Sequence, residues 1–258
     1  MYNAIKTAAA TLAILLLALA LNGCSDDDNP AAPGNNSPLI LDYSFQSSSE
    51  GFSGVFTDYP QASEASLELQ FERRKLPASL DSTKYGLYLS GRNEPDDLFM
   101  FVKKKLTSQD GLQANVVYKV TMEVRIATST ASGCMGAGGS PGEAQTMKAG
   151  ATVTEPKPVL QDGFYELNVQ KGQQSTGGTD MEVIGHVGND SGDCSGETWE
   201  FKTLRLEDFA VKTDGSAVLW LAAGTDSGYE GINYYYFTAF KVTLTPTDLD
   251  SLPTGGSK

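Results

Sequence analysis

The chain is poor in the residues that metal and nucleophile chemistry most often uses. Its 258 residues include one histidine and three cysteines. That set leaves little room for a zinc site, and the lone histidine cannot make one of the usual nitrogen and sulfur type. Positive charge is also scarce: 19 Lys and Arg stand against 32 Asp and Glu, a formal net charge of −13. Nucleic-acid binding is driven by clustered lysine and arginine, so that class of partner is excluded. Long apolar runs are missing after the N-terminus, and no segment carries the pattern of a long, capped amphipathic helix. What is present is a 40% hydrophobic content with 27 glycines and many Thr and Val residues. That is enough for one sizeable core, and the composition favours a single large β domain.

The N-terminus is read apart from the fold. Lys6 supplies a positive start, and Thr7 to Leu21 carries no charge. This run is shorter than the roughly 20 residues of a comfortable membrane span. It ends in Leu21-Asn22-Gly23-Cys24, which resembles a bacterial lipobox. The resemblance implies a lipoprotein signal peptide over 1–23 and a lipidated Cys24, with palmitate among its acyl chains. Two or more chains anchor stably where one would not. Ser25 followed by Asp26, Asp27 and Asp28 fits delivery to the outer membrane, with an acidic run that also resembles surface-export signals. The expectation is a lipid-anchored protein of the bacterial cell envelope. Residues 24–38 read as the acylated cysteine and a disordered tether, since Asp, Asn, Pro, Gly and Ser cannot bury a core. The tether reaches roughly 20 Å as a flexible coil. A domain over 39–246 and a disordered tail over 247–258 complete the expected organisation.

Cys134 and Cys194 remain once Cys24 is set aside. Both sit in Gly/Ser-rich loops, and an exported domain with two cysteines most simply joins them in one disulfide. Nothing suggests a redox pair, because there is no C-x-x-C spacing.

From Leu39 onward the hydrophobic period is two. Tyr118, Val120, Met122, Val124 and Ile126 fall on one face, with Lys119, Thr121, Glu123 and Arg125 on the other, as in a half-buried strand. Near the C-terminus Tyr236, Thr238, Phe240, Val242 and Leu244 alternate with Phe237, Ala239, Lys241 and Thr243. Residues 218–223 are apolar on both faces and predict a central, covered strand. Further strands are expected over 39–46, 67–73, 85–90, 97–106, 145–153, 164–169, 181–187, 198–204 and 207–213, with Gly, Pro, Asn and Asp clusters between them. The pattern predicts an all-β fold: an antiparallel two-sheet sandwich of the jelly-roll type. Lys103-Lys104-Lys105 closes the 97–106 strand, and alternation places Lys104 on the face of Met100 and Val102. An edge strand guarded by lysines is the preferred account.

Catalytic motifs fail on inspection. Gly138-Gly139-Ser140-Pro141-Gly142 matches G-x-S-x-G, but the residue after the serine must donate an N–H to an oxyanion hole, and Pro141 has none. Asp-Ser-Gly occurs at 190–192 and 226–228, yet a triad needs a base, and His186 lies among β-branched strand residues. Carboxylate pairs of the glycosidase kind carry no specificity among 32 acids. The distinctive feature is a set of loops that combine glycine, a carboxylate, an amide or lysine, and an aromatic. They supply the candidate ligand-binding residues Asp97, Glu143, Lys148, Lys171, Asp226 and Glu230. Carboxylates and amides suit sugar hydroxyls, aromatic faces suit a pyranose ring, and the same oxygens suit a structural Ca²⁺.

Pro95-Asp96-Asp97-Leu98-Phe99-Met100-Phe101, the Gly138–Glu143 turn, Lys148-Ala149-Gly150-Ala151, Lys171-Gly172-Gln173-Gln174-Ser175 and Gly224-Thr225-Asp226-Ser227-Gly228-Tyr229-Glu230 together resemble a group of uncharacterised bacterial secreted proteins and lipoproteins. The likeness covers most of 42–246. Its general look is similar to galactose-binding-like and carbohydrate-binding jelly rolls. No catalytic residue comes with the resemblance. Three readings follow. The first is a non-catalytic envelope lipoprotein that binds a glycan, supported if the six residues cluster on one face. The second is a carboxylate-dependent polysaccharide hydrolase. The third is a structural or adhesive protein with an exposed apolar patch around Tyr234, Tyr235 and Phe237.

Overall fold

A computed structural model describes residues 37–94 and 97–248. The expected signal peptide, Cys24, nearly all of the tether, Pro95, Asp96 and the tail from Leu249 lie outside the described residues. The strands are β1 (Leu39–Tyr43), β2 (Ser53–Thr57), β3 (Tyr59–Pro60), β4 (Gln70–Lys75), β5 (Tyr85–Asn93), β6 (Phe99–Leu106), β7 (Val117–Thr128), β8 (Gln145–Thr152), β9 (Pro158–Gln161), β10 (Phe164–Leu167), β11 (Glu182–His186), β12 (Glu200–Lys212), β13 (Leu219–Ser227) and β14 (Gly231–Thr247). They form an antiparallel β-sandwich of the jelly-roll type. One sheet runs β12-β7-β14-β5-β4, with β1 beside β14. The other runs β11-β8-β13-β6-β2. Among the described residues no helix is long and apolar enough to cross a membrane.

The period-two pattern explains the core between the sheets. Tyr118, Val120, Met122, Val124 and Ile126 of β7 all point into it. Leu219, Leu221 and Ala223 of β13 meet them from the opposite sheet. β13 is central, between β8 and β6, as its two-sided apolar pattern predicts.

Two bulges decide which residues face inward. In β14 the register with β7 shifts between Phe237 and Ala239. The extra residue resets the alternation, so Tyr235 and Phe237 point inward before it and Phe240, Val242 and Leu244 after it. The expectation that Tyr236 shares a face with Phe240 is therefore corrected. Tyr236 packs on the outer side with Leu76 and Ala127. In β12 a similar shift lies between Leu206 and Phe209. It joins the two strands expected over 198–204 and 207–213 into one.

The lysine run also reads differently. β6 is an internal strand with β13 on one side and β2 on the other, so edge protection does not apply. Lys104 does lie on the core face, where its Nζ donates to the Glu50 carbonyl at 2.7 Å and sits over the Tyr43 and Phe52 rings. Strands β2, β3 and β9 had no clear sequence signal. Strands β3, β10 and β9 form a third small sheet, and part of its strand set packs over the outer face of the β11-β8-β13-β6-β2 sheet. A second apolar cluster fills that space: Phe99, Phe101, Met181 and Ala222, with Val55 and Leu167 against them.

The disulfide forms as expected, joining Cys134 and Cys194 with their Cα atoms 5.7 Å apart. It ties the loop after β7 to the loop after β11, beside an isolated bridge between Ala131 and Asn189.

Candidate functional site

Four segments distant in sequence bring charge to the outer face of the β11-β8-β13-β6-β2 sheet. Met147 and Ala149 enter the main core, so Lys148 between them must face outward. Ala223 enters the core and Thr225 bonds the Tyr235 hydroxyl, so Asp226 also faces outward. Lys171 arrives on the loop after β10, and Asp58 on the turn after β2. The Asp226 Oδ2 accepts from Lys148 Nζ at 2.7 Å and from Lys171 Nζ at 2.6 Å. Lys171 Nζ also lies 3.0 Å from Asp58 Oδ2 and 5.2 Å from the centre of the Phe99 ring. Asp58 Oδ1 accepts from the Leu167 N–H at 3.1 Å.

Lys148 and Asp226 are fully buried, and Lys171 and Asp58 nearly so. Two cations and two anions therefore neutralise one another at a depth where an unpaired charge would cost several kcal/mol. Burial lowers the Lys148 pKa against the pull of Asp226. Burial raises the Asp58 carboxyl above its ordinary range, with Lys171 opposing. Burial also disfavours the Lys171 ammonium, but Asp226 and Asp58 outweigh it and raise its pKa. The second oxygen of Asp226, Oδ1, is buried and accepts no hydrogen bond.

Glycines let the covering loop lie this close. A Cβ on Gly150 would stand 2.0 Å from the Asp180 carbonyl, so only glycine admits that chain against β8. Gly172 turns the loop directly after Lys171 with φ +74° and has the Thr176 carbonyl 2.3 Å from where its Cβ would be. The Asp180 carboxylate accepts from the Gln170 N–H at 2.7 Å and holds the loop closed on itself.

Above the charge cluster lies an open cleft of about 510 Å³. Asp58, Asp97, Glu166, Gln170, Lys171, Gln173 and Thr176 bring polar groups to it, and Phe164 brings a ring. Asp97 belongs here, and its negative charge acts on Lys148. Four of the six candidate residues thus meet in one region, but in two layers. Asp97 and Lys171 line the cleft, whereas Lys148 and Asp226 lie sealed beneath it. Lys148 and Asp226 therefore position Lys171 and cannot touch a ligand in the cleft.

Glu143 and Glu230 do not join them. Glu143 staples its own turn, accepting from the Gly133 N–H at 2.8 Å and from the Ser140 hydroxyl. These bonds, the Ser140 one foremost, lower its pKa. Glu230 lies on the 228–231 turn, where its N–H donates to the Ala137 carbonyl at 2.9 Å. A second hollow of about 150 Å³ opens on this side, lined by the disulfide, Gln145, Tyr229 and Tyr234 among others.

Asp58, Glu166, Thr176 and Phe164 are cleft residues that the sequence reading did not single out. Asp58 carries no local sequence signal, because the lysine it pairs with lies on a distant loop. Among the described residues no group of three or more His, Cys, Asp or Glu side chains is placed to hold a metal ion. Elsewhere, Asp193 accepts from the N–H and hydroxyl groups of both Ser195 and Thr198. His186 accepts from the Gly188 N–H at 3.1 Å, and burial, then Lys202, lowers its pKa. Ser227 is buried and bonded to Asn233, which leaves no nucleophile in its Asp-Ser-Gly motif. Tyr235 and Phe237 are fully buried and form no part of the exposed apolar patch that would favour the structural or adhesive reading.

No family model matches the chain, and no curated protein matches it in sequence. Several solved structures are similar to it at low identity. A carbohydrate-binding module of the β-sandwich superfamily, described as promiscuous in specificity, is 15% identical with a TM-score of 0.41 over 78% of this chain and 60% of its own. This chain therefore spans about three fifths of that protein's length. The CBM22-1 xylan-binding domain of Paenibacillus barcinonensis Xyn10C is 14% identical with a TM-score of 0.37, over 84% of this chain and 100% of its own. The K1 cleaved adhesin domain of Lys-gingipain from Porphyromonas gingivalis W83 is 11% identical with a TM-score of 0.35, over 81% of this chain and 99% of its own. Likenesses of this depth transfer no ligand from those proteins to this one.

Proposed function

We propose that the protein is a cell-envelope lipoprotein whose β-sandwich binds a glycan, without catalysis, in the cleft over Lys171. The observation that carries this reading is the cleft itself: about 510 Å³, open to solvent, and lined by carboxylates, amides, a lysine and one aromatic ring. Such a lining offers both donors and acceptors to hydroxyl groups and an apolar face to a sugar ring. Lys171 stands at its floor, held by two carboxylates, so its position is set before a ligand arrives. The anchor at Cys24 would place the cleft near the membrane surface.

The hydrolase reading keeps one observation in its favour, the raised carboxyl of Asp58 beside Asp97 and Glu166. The Lys171 ammonium weighs against it, because it holds Asp58 in an ion pair. The test presents the purified full chain to bacterial and algal polysaccharides while released sugar is assayed. Binding without release is expected, weakened at least tenfold in Asp97→Ala and in Gln173→Ala with unchanged melting temperature. Release of sugar would favour the hydrolase. Absence of binding, or binding indifferent to both substitutions, would overturn the assignment of this cleft.

A further inference from the structure

We infer that Lys148 and Asp226 condense into an intramolecular amide, with Lys148 Nζ bonded to Asp226 Cγ and one water lost. The reacting groups are already in contact, Nζ standing 2.7 Å from Oδ2 with both side chains fully buried. Cγ is one C–O bond of about 1.2 Å from that oxygen, so the nitrogen is within about 4 Å of the carbon it would attack. The two residues sit on adjacent strands of one sheet, where Gly224 pairs with Lys148 and Asp226 with Thr146. This register holds them together permanently, and such fixed proximity replaces a bimolecular encounter.

The surroundings assign a role to each atom. Lys171 donates to Oδ2, so it would stabilise the negative charge that develops there when the carboxyl carbon is attacked. Oδ1 accepts no hydrogen bond and is the oxygen free to leave. In the step, the Lys148 ammonium turns from Oδ2 to Oδ1 and gives it a proton, and its neutral nitrogen then adds to Cγ. A second proton then passes from that nitrogen to Oδ1, the Cγ–Oδ1 bond breaks, and water departs. Oδ2 becomes the amide carbonyl oxygen and keeps its bond from Lys171. No oxidant or co-reactant is required.

Charge accounts for the direction of the reaction and for the choice of lysine. Condensation removes one buried cation and one buried anion together. Lys171 and Asp58 remain as a closed pair at 3.0 Å. Lys171 lies between two carboxylates that keep it protonated, whereas Lys148 faces one, and burial lowers its pKa. Lys148 is thus the nucleophile, and Lys171 the group that stabilises the charge on Oδ2. The product would tie β8 to β13 covalently across 78 residues of chain.

The experiment is a peptide map of the purified full chain, reduced, unfolded and digested with trypsin. The expected result is loss of cleavage after Lys148 in most molecules. A branched peptide should join the Lys148 and Asp226 segments, lighter by one water than its two parts. Linear peptides carrying a free Lys148 and an unmodified Asp226 would overturn the inference, as would a branch from Lys171 instead. The Lys148→Met variant should lose the branch completely. Lys171→Met, with folding checked by near-ultraviolet circular dichroism, should form it several-fold more slowly; an unchanged rate would remove Lys171 from the mechanism. The unaltered protein decides the main question even if a variant fails to fold.

Discussion

Asp226 is the residue on which the charge cluster turns. One of its oxygens serves two ammonium groups, while Asp58 serves only one of them. Substitutions at the two aspartates should therefore differ sharply. Asp226→Ala leaves Lys148 and Lys171 buried without their shared partner, a change expected to cost about 3–5 kcal/mol. Asp58→Asn leaves Lys171 bonded to Asp226 and keeps an acceptor for the Leu167 N–H, so a loss of about 1 kcal/mol is expected. Urea unfolding of both variants measures the difference, and equal losses would show that Asp226 has no special place. Sequence reasoning reached Lys148, Lys171 and Asp226 through loop composition. It did not reach Asp58, because Asp58 lies 113 positions before Lys171 and only the fold closes that gap.

At the scale of elements, the β14 bulge and the disulfide invite separate tests. Thr238 is the extra residue between Phe237 and Ala239, where the pairing with β7 shifts. Deleting it removes the bulge and leaves Phe237, Ala239 and Phe240 in strict alternation, so Phe240, Val242 and Leu244 stay inward. The deletion should therefore keep a cooperative thermal transition; loss of that transition would mean that the bulge is needed for more than the phase of the strand. Alternation was legible in this strand from the sequence, but its change of phase was not. A bulge depends on the partner strand, and nothing within 231–247 announces one.

The disulfide closes a loop of 60 residues. In the chain-entropy model that constraint contributes roughly 4 kcal/mol. Reduction, or Cys134→Ala with Cys194→Ala, should lower the melting temperature clearly while keeping the same sheets by far-ultraviolet circular dichroism. A melting temperature unmoved by reductant would show that the bridged loops contribute nothing to cooperative stability. The Cys pairing was readable because the two loop cysteines have one simple choice once Cys24 is set aside.

Over the whole molecule, acid should be the destabilising condition. Asp81, Glu143, Asp193 and Asp214 all have pKa values lowered by hydrogen bonds from nearby hydroxyl and N–H groups. A group whose folded pKa is depressed adds stability that is complete above its unfolded value and is lost as pH falls toward the folded one. For these groups the unfolded values are about 4, so the loss begins near there and deepens with further acid. Asp58 acts in the opposite sense, because its folded pKa is raised. Its contribution is present at low pH and is lost as pH rises through that raised value. Urea midpoints measured across the acid range should fall steadily below about pH 4. Asp193→Asn should flatten that fall, since Asp193 accepts from four donors. A profile unchanged by the substitution would remove Asp193 from the acid response.

The sequence by itself determined the strand character of the domain, its central β13, the inward face of β7 and the partner of each loop cysteine. These follow from simple rules: side chains alternate along a strand, and two loop thiols have only each other to pair with. Only the tertiary structure decided that Lys148 and Asp226 are sealed under a covering segment while Asp97 and Lys171 line a cleft above them. It also decided that Glu143 and Glu230 belong elsewhere. The physical reason is that burial of a charge depends on which distant chain lies over it. Here that chain is the 155–181 segment, which packs Leu167 and Met181 on Phe99 and Phe101 and anchors Glu155 on Lys103 at 2.6 Å. No periodicity within β8 or β13 records what will cover them.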